Sequence, residues 1–271
     1  MSASRPVSKR HPVAKRTKKP SVEAGADQVK LVGFHAVTSV LKHRPQAVIS
    51  LQVQEERADQ RMQALLNLAQ QQGVLVQKMG RADLDAQADE QHQGVVAWAK
   101  PRQPGSEADL EALLEGMSAA GLFLVLDGVT DPHNLGACLR TAEAAGVQAI
   151  ITPKDRAASL NAAARKVASG AAEILPLIQV TNLARALRTL QDYGVWVVGT
   201  AGEADGLIYQ ADLTRSTALV MGAEGKGMRR LTREQCDQLV RLPMAGDVSS
   251  LNVSVAAGVA LYEAVRQRLE R

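Results

Sequence analysis

Aromatic side chains are scarce in this chain of 271 residues: Phe, Trp and Tyr make up 3% of it. Ala, Val and Leu must therefore fill any core, and a nucleic-acid surface built mainly on aromatic stacking is not expected. Cysteine is scarcer still. Cys138 and Cys236 stand alone, with no CxxC pair and no histidine at finger spacing, so no metal site is expected. Two isolated thiols fit a reducing compartment. No apolar run approaches the roughly 18 residues needed to cross a bilayer. The basic N-terminus has no apolar stretch behind it of the secretory kind, and a cytoplasmic protein is expected. The chain also lacks GxGxxG and GxxxxGK[ST], which removes direct support for a Rossmann dinucleotide site or a Walker phosphate loop. No internal repeat is visible.

What is present is apolar enough to fold. Hydrophobic residues make up 46% of the chain, which permits a buried core and argues against global disorder. The length suits one large domain, or a small one beside a medium one. The formal net charge of +4 is unevenly placed: Arg5, Lys9, Arg10, Lys15, Arg16, Lys18 and Lys19 fall in the first 20 residues, without an acid. Apart from those seven, 25 basic side chains face 28 acidic ones, so the body carries about −3. Residues 1–28 are rich in Pro, Lys, Ser and Arg and lack periodicity, and read as a disordered basic tail. Such a tail is an arm for a polyanion, or a solubilising extension.

Residues 29–100 read as a small α/β domain. Ala36, Val37, Val40 and Leu41 recur at helical spacing, and 48–53 alternates in part like a strand. Within 57–72, Met62, Leu65, Leu66 and Ala69 share a helical face, and 74–76 and 94–99 look like short strands. Residues 101–120 begin with Pro101, Pro104 and Gly105 and turn acidic, as a linker and lead-in helix would, or as a loop inside one domain. Residues 121–271 alternate more strongly. The run 122–126 is continuously apolar, as buried parallel strands are. Further strands are expected at 147–151, 195–200, 218–221 and 239–242, with helices at 134–145, 160–168, 182–192 and 251–269. That alternation implies a largely parallel, doubly wound α/β sheet.

Ligands of open α/β sheets bind beyond the carboxyl ends of the strands, and three loops there have unusual composition. The first, 127–142, contains NLGACLRTA. Asn134 fits a helix N-cap, and Arg140 is the only charge in a small and apolar first stretch of helix. On its own the pattern also fits an ordinary cap and a solvated arginine. The second, MGAEGKGM at 221–228, places three glycines in six positions, which suits close backbone approach to a ligand and equally a tight surface turn. The third, LPMAGDVSSLNVSVAAG at 242–258, offers Ser249 or Ser250 as N-cap and carries Asn252 and Ser254 into a small-residue helix. That pattern serves packing as readily as chemistry.

Taken together and in this order, the three segments resemble the signature motifs of the SpoU class of SPOUT methyltransferases. The resemblance extends over about residues 30–269, including GFHAV at 33–37 and His92-Gln93-Gly94, and is nearest to members that modify a guanosine of 23S ribosomal RNA. The basic tail departs from the family's usual form. The resemblance implies a C-terminal catalytic domain with a deep trefoil knot, an exception to the rule against knots. It implies a small N-terminal domain similar to ribosomal L30-like RNA-binding folds, a homodimer with each site completed across the interface, and S-adenosylmethionine as methyl donor. By the same resemblance Arg140, Asn134, Glu224, Ser250 and Asn252 are the catalytic set. Gly222, Leu242, Met244 and Leu251 are the cofactor-binding positions, and no metal is required.

The implied reaction moves a methyl from a sulfonium to a ribose 2′-oxygen, whose proton must be removed or shared. The family gives that task to the arginine at position 140. A free guanidinium holds its proton to above about pH 12, so Arg140 could equally stabilise a developing alkoxide and grip a neighbouring phosphate. A transfer-RNA substrate, or a non-catalytic RNA-binding or ribosome-assembly role, are the alternatives; the intact Asn134, Arg140, Glu224, Ser250 and Asn252 argue against the second. If the tail is an arm for RNA, deleting residues 1–28 will lower RNA affinity and flatten its salt dependence, each lost phosphate contact removing about 0.9 from the slope. Binding titrations across salt concentrations measure this, and an unchanged slope makes the tail an idle extension.

Overall fold

The computed structural model of the chain describes residues 28–88 and 92–270. The segment read as a disordered tail, up to residue 27, lies outside the described residues. The first part of the chain forms β1 (Val29–Val32), α1 (Phe34–His43), β2 (Val48–Gln54), α2 (Gln60–Gln71), β3 (Val76–Met79), α3 (Arg81–Asp85) and β4 (Val95–Ala99). Its four-stranded sheet runs β1-β4-β2-β3, antiparallel except where β3 lies parallel to β2. Phe34, Val37, Leu41, Leu51, Met62 and Leu65 fill the space between sheet and helices.

The chain then crosses by 101–105, where Gly105 makes a parallel bridge to Ile178 at a sheet edge. It continues through α4 (Glu107–Glu115), β5 (Leu122–Asp127), α5 (Pro132–Ala144), β6 (Ala149–Pro153), α6 (Ala162–Ala168), β7 (Leu177–Val180), α7 (Leu183–Asp192) and β8 (Trp196–Thr200). It ends with β9 (Gly206–Leu207), β10 (Thr217–Gly222), α8 (Arg230–Glu234), β11 (Gln238–Arg241) and α9 (Val253–Leu269). The seven strands order as β7-β6-β5-β10-β8-β11-β9, and every pair is parallel. Both faces are covered, which is why β5 and β6 are buried at every residue and are mostly apolar, β5 unbroken from Leu122 to Leu126. One core joins the sheet to α5, α6 and α9, the other to α4 and α7.

The expected elements are present, with boundaries shifted for identifiable reasons. The strands expected from Val74, Val147 and Val195 begin one or two residues later. Each of these valines instead closes the preceding helix. Its N–H donates back to Ala69, Ala142 and Leu190 respectively, across a glycine at φ +68, +73 and +77. This is the Schellman closure, which uses an apolar residue after a left-handed glycine. Two helix starts also move. Asp131, not Asn134, caps α5, accepting from the N–H groups of His133 and Asn134 with Pro132 in the first turn. Asn252, not Ser249 or Ser250, caps α9, accepting from the N–H of Ser254 at 2.9 Å.

Helices α5 and α6 meet at Gly136. A Cβ there would lie 2.5 Å from the carbonyl oxygen of Ala164 and 2.8 Å from Cβ of Val167. Alanine is the better helix former by about 1 kcal/mol, but a backbone carbonyl cannot step aside. Gly136→Ala is therefore expected to destabilise the fold by a net of about 1–3 kcal/mol, read from urea unfolding. A gain in stability would mean that the two helices can separate freely.

Candidate active site

The three segments singled out in the sequence converge where α5 and α9 begin and where the chain leaves β10. Their junction is one carboxylate oxygen. Glu224 Oε1 accepts from Asn134 Nδ2 at 3.2 Å, from Asn252 Nδ2 at 2.8 Å and from the backbone N–H of Val253 at 3.2 Å. Asn252 Nδ2 also donates to Asn134 Oδ1 at 2.9 Å. Because Asp131 caps α5, the Asn134 side chain is released for this network. Asn252 serves twice: its oxygen caps α9, and its amide nitrogen reaches across to the other two segments. Placing Glu224 at the amino end of α9 also sets an anion against the positive end of the helix dipole.

The glycines between β10 and α8 are explained by the turn itself. Ala223 and Gly227 exchange backbone hydrogen bonds at 3.1 and 2.8 Å, and Gly225 and Gly227 hold φ of +72 and +64. A Cβ on Gly222 would lie 2.3 Å from backbone atoms of both Gly227 and Met228. The turn then ends on a residue the sequence reading passed over. Asp127, fully buried at the end of β5, accepts the N–H of Arg229 at 2.7 Å and lies 3.2 Å from its Nε. Asp127 is register partner to Gly222, so the acid holds the returning end of the turn against the strand from which it left. The sequence signal was a carboxylate ending an otherwise apolar buried strand.

Beneath this turn lies a cleft of about 650 Å³, within the usual range for small-molecule sites. Gly222, Leu242, Met244 and Leu251 all line it, together with Glu224 and Ser250. Its walls combine apolar side chains and turn backbone with the Thr200, Ser249 and Ser250 hydroxyls and the charged Glu203, Glu224, Lys226, Arg233 and Arg241. That mixture suits a nucleoside with a polar tail, so the residues present fit S-adenosylmethionine. Arg140 is the exception. It lies two turns into α5, exposed, with no hydrogen bond or ion pair among the described residues, and it does not line the cleft. Six residues after Asn134, it points about 120° away from that side chain around the helix. One chain therefore gathers Asn134, Glu224 and Asn252 in one network and Ser250 beside it, and leaves Arg140 outside.

Neither cysteine lines the cleft. Burial pushes the thiols of Cys138 and Cys236 up to about 12, with Asp237 adding to the shift at Cys236, so neither is a thiolate at neutral pH. Among the described residues no group of three or more His, Cys, Asp or Glu side chains could hold a metal ion, and no helix is long and apolar enough to cross a membrane. Gly222→Ala forces the turn off the strand. It is expected to weaken S-adenosylmethionine binding by about tenfold or more in calorimetry, since a displaced wall loses its contacts outright. Unchanged affinity with an intact circular-dichroism spectrum would separate the turn from the ligand.

Comparison with known proteins agrees with this geometry. Residues 121–262 match the SpoU rRNA Methylase family, and residues 30–105 match the family described as RNA 2′-O ribose methyltransferase substrate binding. The 23S rRNA (guanosine-2′-O-)-methyltransferase RlmB of Pseudomonas aeruginosa is 61% identical, over 88% of this chain and 96% of its own. That of Pasteurella multocida is 59% identical, over 88% of this chain and 98% of its own. Among solved structures, the SpoU methyltransferase AviRb from Streptomyces viridochromogenes, in complex with the cofactor AdoMet, superposes with a TM-score of 0.69. It is 26% identical, with 91% of this chain and 92% of AviRb covered. With both family matches falling on the two sheets described, the chain belongs to the SpoU rRNA methylase family.

Proposed function

We propose that this protein methylates the ribose 2′-oxygen of a guanosine in 23S ribosomal RNA, in the cytoplasm, using S-adenosylmethionine and acting as a homodimer. The observation that carries the reading is the network of Asn134, Glu224 and Asn252 at the rim of a cleft lined by Gly222, Leu242, Met244 and Leu251. The relatives named for this reaction, matched over nearly their whole length, support the same substrate. The substrate-binding match over residues 30–105 supports an RNA substrate, and the relatives' names favour ribosomal over transfer RNA. An L30-like reading of the four-stranded domain belongs to the same proposal.

When bound, S-adenosylmethionine supplies a methyl group made electrophilic by its sulfonium. The protein's task is to hold the ribose and to manage the proton of its 2′-hydroxyl. Leu242, Met244 and Leu251 supply apolar wall, and Ser250 a hydroxyl, on the cleft side. Asn134 and Asn252 are locked by each other and by Glu224, which keeps them oriented without a rearrangement during reaction. Among the described residues the second carboxylate oxygen of Glu224 accepts no hydrogen bond, so it remains available to the substrate. Arg140 completes the set from a second copy of the chain: it is exposed on its own protomer and charged, and no side chain neutralises it there. Val248, Val255 and Tyr262, each more than half exposed on or before α9, provide apolar surface for that contact.

The knot is part of the proposal and has support in the strand order. β11 lies between β8 and β9, with Val240 beside both Thr200 and Gly206. The link 201–205 therefore passes from one flank of β11 to the other, a crossing of the kind the proposed knot requires.

Arg140→Ala is expected to lower single-turnover methyl transfer to ribosomal RNA by about 10²-fold or more, the range of a lost acid–base or charge-stabilising group, with cofactor affinity unchanged. Arg140→Lys keeps the charge and loses the planar fork. Activity that recovers as pH rises marks a base; a variant as inactive as alanine at every pH marks bidentate contact with phosphate or alkoxide. Mixing Arg140→Ala with Gly222→Ala protein should restore about a quarter of wild-type activity if each site draws on both protomers. Full activity of Arg140→Ala alone would sink the assignment.

A further inference from the structure

Glu173 takes no part in the chemistry above, yet it is almost wholly buried, in the turn between α6 and β7. A carboxylate taken out of water is strongly destabilising unless it is paired and hydrogen-bonded. Its partners come from three separate stretches of chain. Arg44, at the end of α1 in the four-stranded domain, brings Nη1 to 3.2 Å from Oε2. Arg165 on α6 pairs with Oε1. The backbone N–H of Arg102, in the link between the sheets, donates to Oε2 at 2.7 Å.

The surrounding groups tighten the same junction. Arg102 Nη1 donates to the carbonyl of Ile174 at 2.9 Å, and Arg165 Nη2 to the carbonyl of Arg102 at 2.8 Å. Burial and the neighbouring Arg44 push Arg102 below the usual guanidinium range, as expected where three cations crowd one acid. Close by, a Cβ on Gly170 would lie 2.8 Å from Cβ and 2.9 Å from Cα of Ala36, so α1 rests directly on this turn. From here contact runs on to the site. Arg165 shares α6 with Ala164, whose carbonyl presses on Gly136 of α5, and α5 carries Asn134 and Arg140.

We propose that Glu173 is a positioning residue: it anchors the four-stranded domain to the α6–α5 pair, and so sets where RNA held by that domain meets the catalytic helix. This rests on the methyltransferase reading above. Arg44→Met cuts only the four-stranded domain's arm of the junction and leaves Glu173 satisfied by Arg165 and Arg102, so the fold should persist, checked by circular dichroism and by calorimetry with S-adenosylmethionine. The KM for a 23S ribosomal RNA fragment should rise about tenfold, within the range of typical site-to-site couplings, while kcat at saturating RNA changes little. Arg44→Lys, which keeps the cation, should recover part of the loss. Spin labels on Ala64→Cys of α2 and Ala112→Cys of α4 should show a broader distance distribution in the Arg44→Met background. Unchanged KM with unchanged label distances would overturn the proposal, as would a loss confined to kcat. Should the wild-type protein transfer no methyl to RNA, the functional reading fails, and the label distances alone decide the anchor.

Discussion

One acceptor, Glu224 Oε1, holds together the three segments on which the site depends. Its donors are two side-chain amides and a backbone N–H at a helix start, with no lysine or arginine among them. A carboxylate paired with a nearby cation would be neutralised, and would compete with any positive group the reaction needs. Satisfied by amides and a helix start, it fixes geometry without a fixed side-chain cation beside it. Asn134 and Asn252 are then constrained from both sides, since each also bonds the other. The turn after β10, the start of α5 and the start of α9 are thereby registered to one another, although about 120 residues separate the start of α5 from that of α9.

The parallel sheet makes that convergence possible. All its strands run in one direction, so the loops after β5, β10 and β11 emerge at one end. β5 and β10 are neighbours, and Asp127 and Gly222 lie opposite each other where the two strands finish. The acid can then catch the turn that leaves its neighbour. A buried acid is tolerated there because its partners are a backbone N–H and a guanidinium that reaches water.

Much of this was legible in sequence because burial on both sheet faces leaves unbroken apolar runs such as 122–126, and because helical spacing marked α2 and α7. What was not legible came from competition between local devices. Val74, Val147 and Val195 have strand propensity, but each follows a glycine that closes a helix, and the closure takes the valine. Asn134 fits a cap by type, yet Asp131, followed by Pro132, starts the helix earlier by accepting the N–H groups of His133 and Asn134 itself. Ser249 and Ser250 fit the α9 cap by type, but Asn252, whose amide also joins the Glu224 network, is the residue that caps the helix. The glycines at 222–227 fit either ligand approach or a tight turn; at Gly222 the atoms nearest the missing side chain belong to the turn, and the residue also lines the cleft. Glu173 carries no local signal at all, because its partners lie 129, 71 and 8 residues away in the chain.

The position of Arg140 follows from the same packing. α5 is held on one side by α6, through Gly136, and on another by α9. Asn134 uses the end that faces Glu224, and the remaining exposed side is where Arg140 projects. The cleft is already lined by the cations Lys226, Arg233 and Arg241, whereas Arg140 stays outside it, unpaired among the described residues, until another molecule is brought against it. On the proposed reading that molecule is a second copy, and the Glu173 junction adds a consequence. The same α5 that presents Arg140 is braced, through α6, against its own four-stranded domain. The domain that holds RNA and the arginine that acts on it would then travel as one rigid unit toward the partner's cofactor cleft, so that RNA placement and catalytic charge arrive together rather than by separate motions.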